Sequence, residues 1–248
     1  MTLEQFFAEN REVAVAFSGG VDSAYLLYAA TRYAARVKAY YVSTAFQPEF
    51  ELADARRLAD ELGADMLVLH VDVLSNSAVT ANPSDRCYHC KNTLFRQILR
   101  AAENDGFPVL LDGTNASDDA GDRPGMRALR ELSVRSPLRE CGLTKAEIRR
   151  LSKEAGLFTW DKPAYACLAT RIRTGEEITL QKLKQTEKAE GFLFRLGFRD
   201  FRIRMVGNTA KLELREADLP LLLENREKIV TELRKDYDGV LLNLEVRK

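Results

Sequence analysis

Val13-Ala14-Val15-Ala16-Phe17-Ser18-Gly19-Gly20-Val21-Asp22-Ser23 is the stretch that decides the fold. Val13 to Phe17 has the short, unbroken apolar pattern of a buried strand, and Leu26, Leu27, Ala30, Tyr33 and Ala34 then fall on one helical face. The two glycines at the junction let the backbone turn sharply and bring its N–H groups close to an anion. The helix N-terminus adds its positive dipole end to the same place. The Ser18 and Ser23 hydroxyls can add hydrogen bonds, and Asp22 can hold Mg²⁺ against phosphates. No Gly-x-x-x-x-Gly-Lys-Ser/Thr pattern follows, so this is not a Walker A loop.

The same alternation continues downstream. Val37 to Val42 reads as a second strand, and Leu52, Ala55, Ala59 and Leu62 mark a helix closed by Gly63 at its C′ position. Met66 to His70 reads as a third strand, and a helix through Phe95, Ile98 and Leu99 leads to a fourth at Val109 to Leu111. Thr144-Lys145-Ala146-Glu147 is a capping box before Ile148, Leu151 and Ala155, with Gly156 as a stop. Strands alternating with helices predict an α/β fold, a doubly wound and mostly parallel sheet with helices on both faces. Ligands in that architecture bind beyond the carboxyl ends of the strands. Past about residue 172 the texture changes: Glu176 to Leu196 reads as a long charged helix, and Phe201 to Met205 and Lys211 to Arg215 alternate in period two. A helical stretch and a strand at Val240 to Val246 follow. The reading is a first domain over 1–171 and a small α+β C-terminal domain over 172–248.

Composition narrows the function classes. Lys and Arg balance Asp and Glu at 37 each, whereas a protein living on long nucleic acid usually carries a basic excess. No basic and apolar leader opens the chain, and no apolar run is long enough for a membrane span, so a cytoplasmic protein without a membrane partner is expected. The four cysteines are then expected as thiols for metal, cluster, redox or nucleophilic work.

Arg86-Cys87-Tyr88-His89-Cys90-Lys91 contains one C-x-x-C, Cys167 stands in Tyr165-Ala166-Cys167-Leu168, and Cys141 stands alone. A closed zinc site would have to recruit a further cysteine or a histidine, while Cys87, Cys90 and Cys167 could hold a [4Fe–4S] cluster with one iron open. Spacing alone leaves cluster and zinc level. Cys141 reads as a small buried hydrophobe and His89 as a packing or solvent-facing residue. Arg202 and Arg204 share one strand face opposite Phe201, Ile203 and Met205, which suits a phosphate monoester, although a solvated sheet face gives the same pattern.

Ser18 to Ser23 resembles the PP-loop of the N-type ATP pyrophosphatases, which cleave ATP to AMP and pyrophosphate. Asp112-Gly113-Thr114-Asn115 resembles the second nucleotide loop of that superfamily. The resemblance implies an adenine nucleotide alpha hydrolase-like fold. It also implies ATP binding by Ser18, Gly19, Gly20, Val21, Asp22, Ser23, Gly113, Thr114 and Asn115, with Mg²⁺ on Asp22. With Cys87 to Lys91, Arg123-Pro124-Gly125, Ser136-Pro137-Leu138, Gly142 to Lys145, Trp160 to Pro163 and Ala166-Cys167-Leu168 in the same order, the whole chain resembles the LarE family. Members are ATP-dependent sulfur transferases that convert pyridinium-3,5-biscarboxylic acid mononucleotide to its bis-thiocarboxylate, the organic part of the nickel-pincer nucleotide cofactor of lactate racemase. The resemblance implies carboxylate adenylation and attack by the Cys167 thiolate. It also implies a substrate-phosphate site at Arg202, Arg204, Arg171 and Arg173, a role for Glu190 in positioning substrate, a separate sulfur donor, and a symmetric homo-hexamer. One-cysteine members give up their own sulfur; the presence of Cys87 and Cys90 beside Cys167 points instead to the members holding a [4Fe–4S] cluster. An iron–sulfur tRNA thiolase is the nearest rival, and zero net charge speaks against it. An ammonia-using ligase of the NAD or GMP synthetase kind would leave the three cysteines without a role.

Overall fold

A computed structural model describes residues 1–118 and 124–247, so Arg123 of the expected Arg123-Pro124-Gly125 motif lies outside the described residues. The chain forms two compact units, Met1–Val73 with Asp85–Lys162, and Leu74–Ser84 with Pro163–Lys248.

The first unit begins with helix α1 (Leu3–Glu9), started by a capping box between Thr2 and Gln5. Strand β1 (Glu12–Ala16), α2 (Val21–Tyr33), β2 (Arg36–Ser43), α3 (Glu49–Leu62) and β3 (Met66–His70) follow. Past the short α4 (Ser77–Thr80), which belongs to the second unit, come α5 (Arg86–Asn104), β4 (Val109–Leu111), α6 (Pro124–Glu131), α7 (Pro137–Glu140) and α8 (Lys145–Glu154). Gly63 closes α3 in the left-handed conformation, and the expected capping box of Thr144 and Glu147 opens α8.

Every pairing in this sheet is parallel, and the strand order is β3-β2-β1-β4. Alternation along β1 explains why both faces are covered. Val13 and Val15 pack with Phe6, Leu26, Leu58 and Ile148 on one side, while Ala14 packs with Tyr40, Ile98 and Leu110 on the other. The chain runs outward from β1 through β2 to β3 and then returns to place β4 on the other side of β1. That reversal is a topological switch point, and the loops after β1 and β4 open a crevice there.

The second unit packs α9 (Leu180–Arg195) on β5 (Arg202–Val206). β5 pairs antiparallel with β6 (Thr209–Glu213), and β6 pairs parallel with β7 (Gly239–Leu242). Gly207, with φ +58°, is the first residue of the two-residue β5–β6 turn, where a side chain would be strained. The β6–β7 crossover carries α10 (Leu219–Glu224) and α11 (Arg226–Leu233).

Strand ends shift by one or two residues from the sequence reading at β1, β2, β5 and β6, and three boundaries differ with more consequence. The long helix begins at Leu180 rather than Glu176, because the Thr179 hydroxyl caps it by accepting from the Lys182 N–H at 3.3 Å. β7 ends at Leu242 rather than Val246. The units part before Pro163 rather than after Arg171, since the short 3₁₀ turn Leu168–Arg171 packs on α9 and β5. Leu74–Ser84 joins the second unit through Asn82. Its side-chain amide donates to the Arg173 carbonyl at 2.8 Å, and its own carbonyl accepts from the Gly175 N–H at 2.8 Å. Among the described residues no helix is long and apolar enough to cross a membrane.

Candidate active site

The loop between β1 and α2 is braced by its own hydroxyls. Ser18 and Ser23 place their Oγ atoms 3.1 Å apart; Ser23 Oγ accepts from the Ser18 N–H at 3.2 Å and donates to the Gly20 carbonyl at 3.1 Å. These side chains fix the loop, and Gly20, which carries no side-chain cap, leaves the first-turn N–H groups of α2 for a ligand. Gly19 has φ +71°, and a Cβ there would stand 3.3 Å from Ala55 Cβ, so both backbone conformation and space exclude a side chain. Val21 is not a surface residue of the loop: it is buried in the core that α2 shares with β1.

The loop after β4 comes up against this one. A Cβ on Gly113 would lie 2.9 Å from the Ser23 backbone nitrogen, so glycine is what lets the two loops touch. Asp112 is buried and accepts hydrogen bonds from Thr114 Oγ1 at 2.5 Å and Ser136 Oγ at 2.6 Å. Asn115, also buried, accepts from the Ser117 N–H at 2.8 Å and shapes the loop from behind. Between the loops opens a cavity of about 300 Å³ walled by Ser18, Gly20, Asp22, Ser23, Gly113 and Thr114.

Asp22 is one of the acidic groups that line the cavity, with Asp112 and Asp118. Asp22 Oδ2 receives the Lys145 ammonium at 2.6 Å, while Oδ1 is buried with no hydrogen-bond partner among the described residues. Burial raises its carboxyl above the ordinary value, and Lys145 only partly offsets this. A carboxylate oxygen left without a partner among the described residues, in the first turn of the helix that follows the glycine loop, is an oxygen donor of the kind a hard divalent cation takes, so the residues fit Mg²⁺. Lys162, from the end of the unit, donates to Asp54 at 2.7 Å and to the Gly19 carbonyl at 3.4 Å. Neither Lys145 nor Lys162 was assigned a role from sequence. The capping box reported Lys145 only as a helix-start residue, and no local pattern ties it to Asp22.

Cys87 and Cys90 sit in the first turn of α5, three residues apart and therefore on one helix face. Cys87 is exposed, and the Arg86 guanidinium stands 4.0 Å from its sulfur. His89 faces Asp85 at 3.4 Å. Cys141 packs against the core, and burial pushes its thiol pKa up, as expected of a small hydrophobe. None of the four cysteines is in a disulfide, and among the described residues no three of His, Cys, Asp and Glu gather as a metal site.

Cys167 lies in the second unit at the start of Leu168–Arg171, on a loop held by arginines. Arg202 donates to the Ala164 carbonyl at 2.6 Å, Arg171 to the Ala166 carbonyl at 3.0 Å, and Arg204 to the Thr170 carbonyl at 2.7 Å. Arg171 and Glu190 form an ion pair at 2.7 Å with side chains 0% and 1% exposed; Glu190 also accepts from Tyr165 Oη at 2.5 Å and the Ile203 N–H at 2.9 Å. Arg202 and Arg204 do share a strand face, but it is not the open face that the alternation suggested. Arg202 is buried, and Arg204 pairs with Glu213 at 2.8 Å. Burial, then Arg171 and Arg247, hold the Arg202 guanidinium below its usual value, the mark of crowded positive charge. Arg173 is exposed, and its backbone carbonyl accepts from the Asn82 side chain. Glu190→Ala should cost about 3–5 kcal/mol, because it strands the buried Arg171 charge. Urea unfolding checks this, and a loss no larger than that of a surface substitution would show that the pair is dispensable.

A family model described as asparagine synthase matches residues 4–118, the segment from α1 through the loop after β4. An uncharacterised protein of Synechocystis sp. is 39% identical over 86% of this chain and 80% of its own length. The pyridinium-3,5-bisthiocarboxylic acid mononucleotide synthase of Lactiplantibacillus plantarum is 32% identical over 94% of this chain and 85% of its own length. A tRNA-specific 2-thiouridylase of Thermotoga petrophila is 27% identical over 59% of this chain, which spans about half of that protein, 52%. A likeness running through both units, on a parallel sheet with a PP-loop at its switch point, settles the affiliation: the chain belongs to the LarE family of ATP-dependent sulfurtransferases.

Proposed function

We propose that this chain adenylates the carboxylates of pyridinium-3,5-biscarboxylic acid mononucleotide and converts them to thiocarboxylates for the nickel-pincer nucleotide cofactor of lactate racemase. The observation that carries the reading is the cavity between the two glycine loops, walled by Ser18, Gly20, Asp22, Ser23, Gly113 and Thr114 at the N-terminus of α2. There the α2 N-terminus and Mg²⁺ on Asp22 would stabilise the charge that develops on the leaving pyrophosphate. A substrate carboxylate oxygen attacks the α-phosphorus and pyrophosphate departs. A sulfur nucleophile then adds to the activated carbonyl and AMP leaves with the bonding pair. Cys167 is the residue that the family resemblance proposes for that second step. Its loop is fixed by Arg171, Arg202 and Arg204; Arg171 and Arg204 are paired with Glu190 and Glu213, so Arg202, crowded by Arg171 and Arg247, is the guanidinium proposed first for the phosphate of a mononucleotide. Arg173 is the more peripheral candidate for that phosphate.

The [4Fe–4S] cluster is proposed from the family resemblance and from the chemistry of three free thiols, Cys87, Cys90 and Cys167; such a cluster, when bound, would supply an open iron for transferable sulfide. The sulfur then comes from a separate donor and Cys167 survives. A reducing cytoplasm suits a chain with no disulfide, and the assembly expected from the family is a homo-hexamer. Anaerobic reconstitution should load about one four-iron cluster per chain, and Cys87→Ala should prevent it. Protein that takes up no iron or labile sulfide, or a variant that takes up as much as the wild type, would sink the cluster assignment while leaving adenylation standing.

A further inference from the structure

Lys91 has no part in the chemistry above, yet it helps wall the same cavity as Ser18, Gly20 and Asp22. It follows Cys90 directly on α5. The other lysines at the loop are already neutralised, Lys145 by Asp22 at 2.6 Å and Lys162 by Asp54 at 2.7 Å. Lys91 differs from them: among the described residues no carboxylate lies in ion-pair reach of its ammonium, which stands 5.9 Å from the Phe95 ring. The remaining carboxylates of the cavity wall have other donors, Asp112 from Thr114 and Ser136, and Asp118 from the Asn115 N–H at 2.9 Å. A half-buried ammonium with no acid beside it among the described residues favours an anion in the cavity.

A second feature fixes where that lysine runs. A Cβ on Gly125 of α6 would stand 3.2 Å from Lys91 Cδ and 3.3 Å from Cε, closer than ordinary contact. The missing side chain at position 125 gives the Lys91 stem its track over α6. Gly125 has no left-handed backbone that would demand glycine, so the space for Lys91 is what a side chain there would take away.

We propose that Lys91 is a polyphosphate-binding residue, engaging the β- and γ-phosphates of ATP and the pyrophosphate released from them. The proposal rests on the nucleotide reading of the cavity. ATP carries more negative charge than one Mg²⁺ offsets, and a point charge on a flexible stem suits the end of the phosphate chain that departs. It also ties the phosphates to the helix whose first turn bears Cys87 and Cys90.

Calorimetric titration of the full chain with Mg²⁺-ATP, pyrophosphate and AMP tests this. Lys91→Gln should weaken ATP and pyrophosphate about 10- to 100-fold, the worth of one charge-assisted contact, and leave AMP affinity unchanged. Lys91→Arg should recover most of the loss, and Gly125→Val should reproduce it by displacing the stem. AMP weakened as much as pyrophosphate, or pyrophosphate binding untouched by Lys91→Gln, overturns the assignment. A wild-type protein that binds neither ATP nor pyrophosphate removes the nucleotide reading itself, a failure visible before any variant is made.

Discussion

Asp22→Asn should lower substrate-dependent pyrophosphate release about 10²–10³-fold, the scale of removing one preorganised electrostatic contact from an active site. The substitution keeps the shape and replaces a charged oxygen with an amide, so the cation loses its buried donor. The same change should not weaken the fold. Burial holds the Asp22 carboxyl above its ordinary pKa despite Lys145, which means that the folded protein binds this proton more tightly than the unfolded chain does. The sign follows: this group favours folding at acid pH and works against it as the pH rises through its unfolded and then its raised folded value. At neutral pH, nucleotide-free Asp22→Asn should therefore melt at or above the wild-type temperature. Activity of the wild type should fall as the pH drops through the raised value, because a protonated Asp22 cannot hold Mg²⁺. A variant that is both inactive and markedly less stable would mean that Asp22 is a structural residue.

Cys167→Ser should abolish thiocarboxylate formation while pyrophosphate release persists. The change keeps size and the loop's backbone hydrogen bonds, including the Thr170 N–H to the Cys167 carbonyl at 2.9 Å, and removes only the sulfur. An alcohol at neutral pH is a far weaker nucleophile than a thiolate, so the adenylate should accumulate or hydrolyse. Mass spectrometry of the wild-type protein after turnover then separates the two sulfur sources. An unchanged Cys167 fits delivery from elsewhere, and dehydroalanine at that position means the residue gave up its own sulfur. Thiocarboxylate made at wild-type rate by Cys167→Ser would remove the residue from the chemistry altogether.

What was legible in the sequence was local. The run Val13 to Phe17 before Gly19-Gly20, the closing glycine at Gly63 and the capping box at Thr144 each follow from constraints that act within a few residues; the structure places the last two where they were read and the strand one residue earlier, at Glu12–Ala16. Parallel pairing followed because the strands carry continuous rather than alternating apolar runs. What was not legible depends on partners distant in the chain. Alternation put Arg202 and Arg204 on one face correctly, but nothing local says that their guanidinia are taken up by the carbonyls of Ala164 and Thr170. Nor does the sequence around Asp22 announce Lys145, whose ammonium arrives from the first turn of α8. The resemblance put Gly113 in a nucleotide loop, but nothing local says that the Ser23 backbone lies against it.

The clasp at Asn82 bears on how this protein can be taken apart. Leu74–Ser84 precedes most of the first unit's remaining chain, yet its amide and carbonyl partners come from Ile172 to Ile178. The polypeptide thus passes from one unit to the other after Val73, returns at Asp85 and leaves again at Pro163. A cut between Lys162 and Pro163 would not separate two finished pieces. The N-terminal fragment would carry an exposed tongue whose polar groups had lost their mates, and the C-terminal fragment would lack a segment it needs. Dissection by limited proteolysis or split-protein design has to treat that tongue as belonging to the far side, and a circular permutation that rejoins it there is the more promising route to a free-standing C-terminal unit.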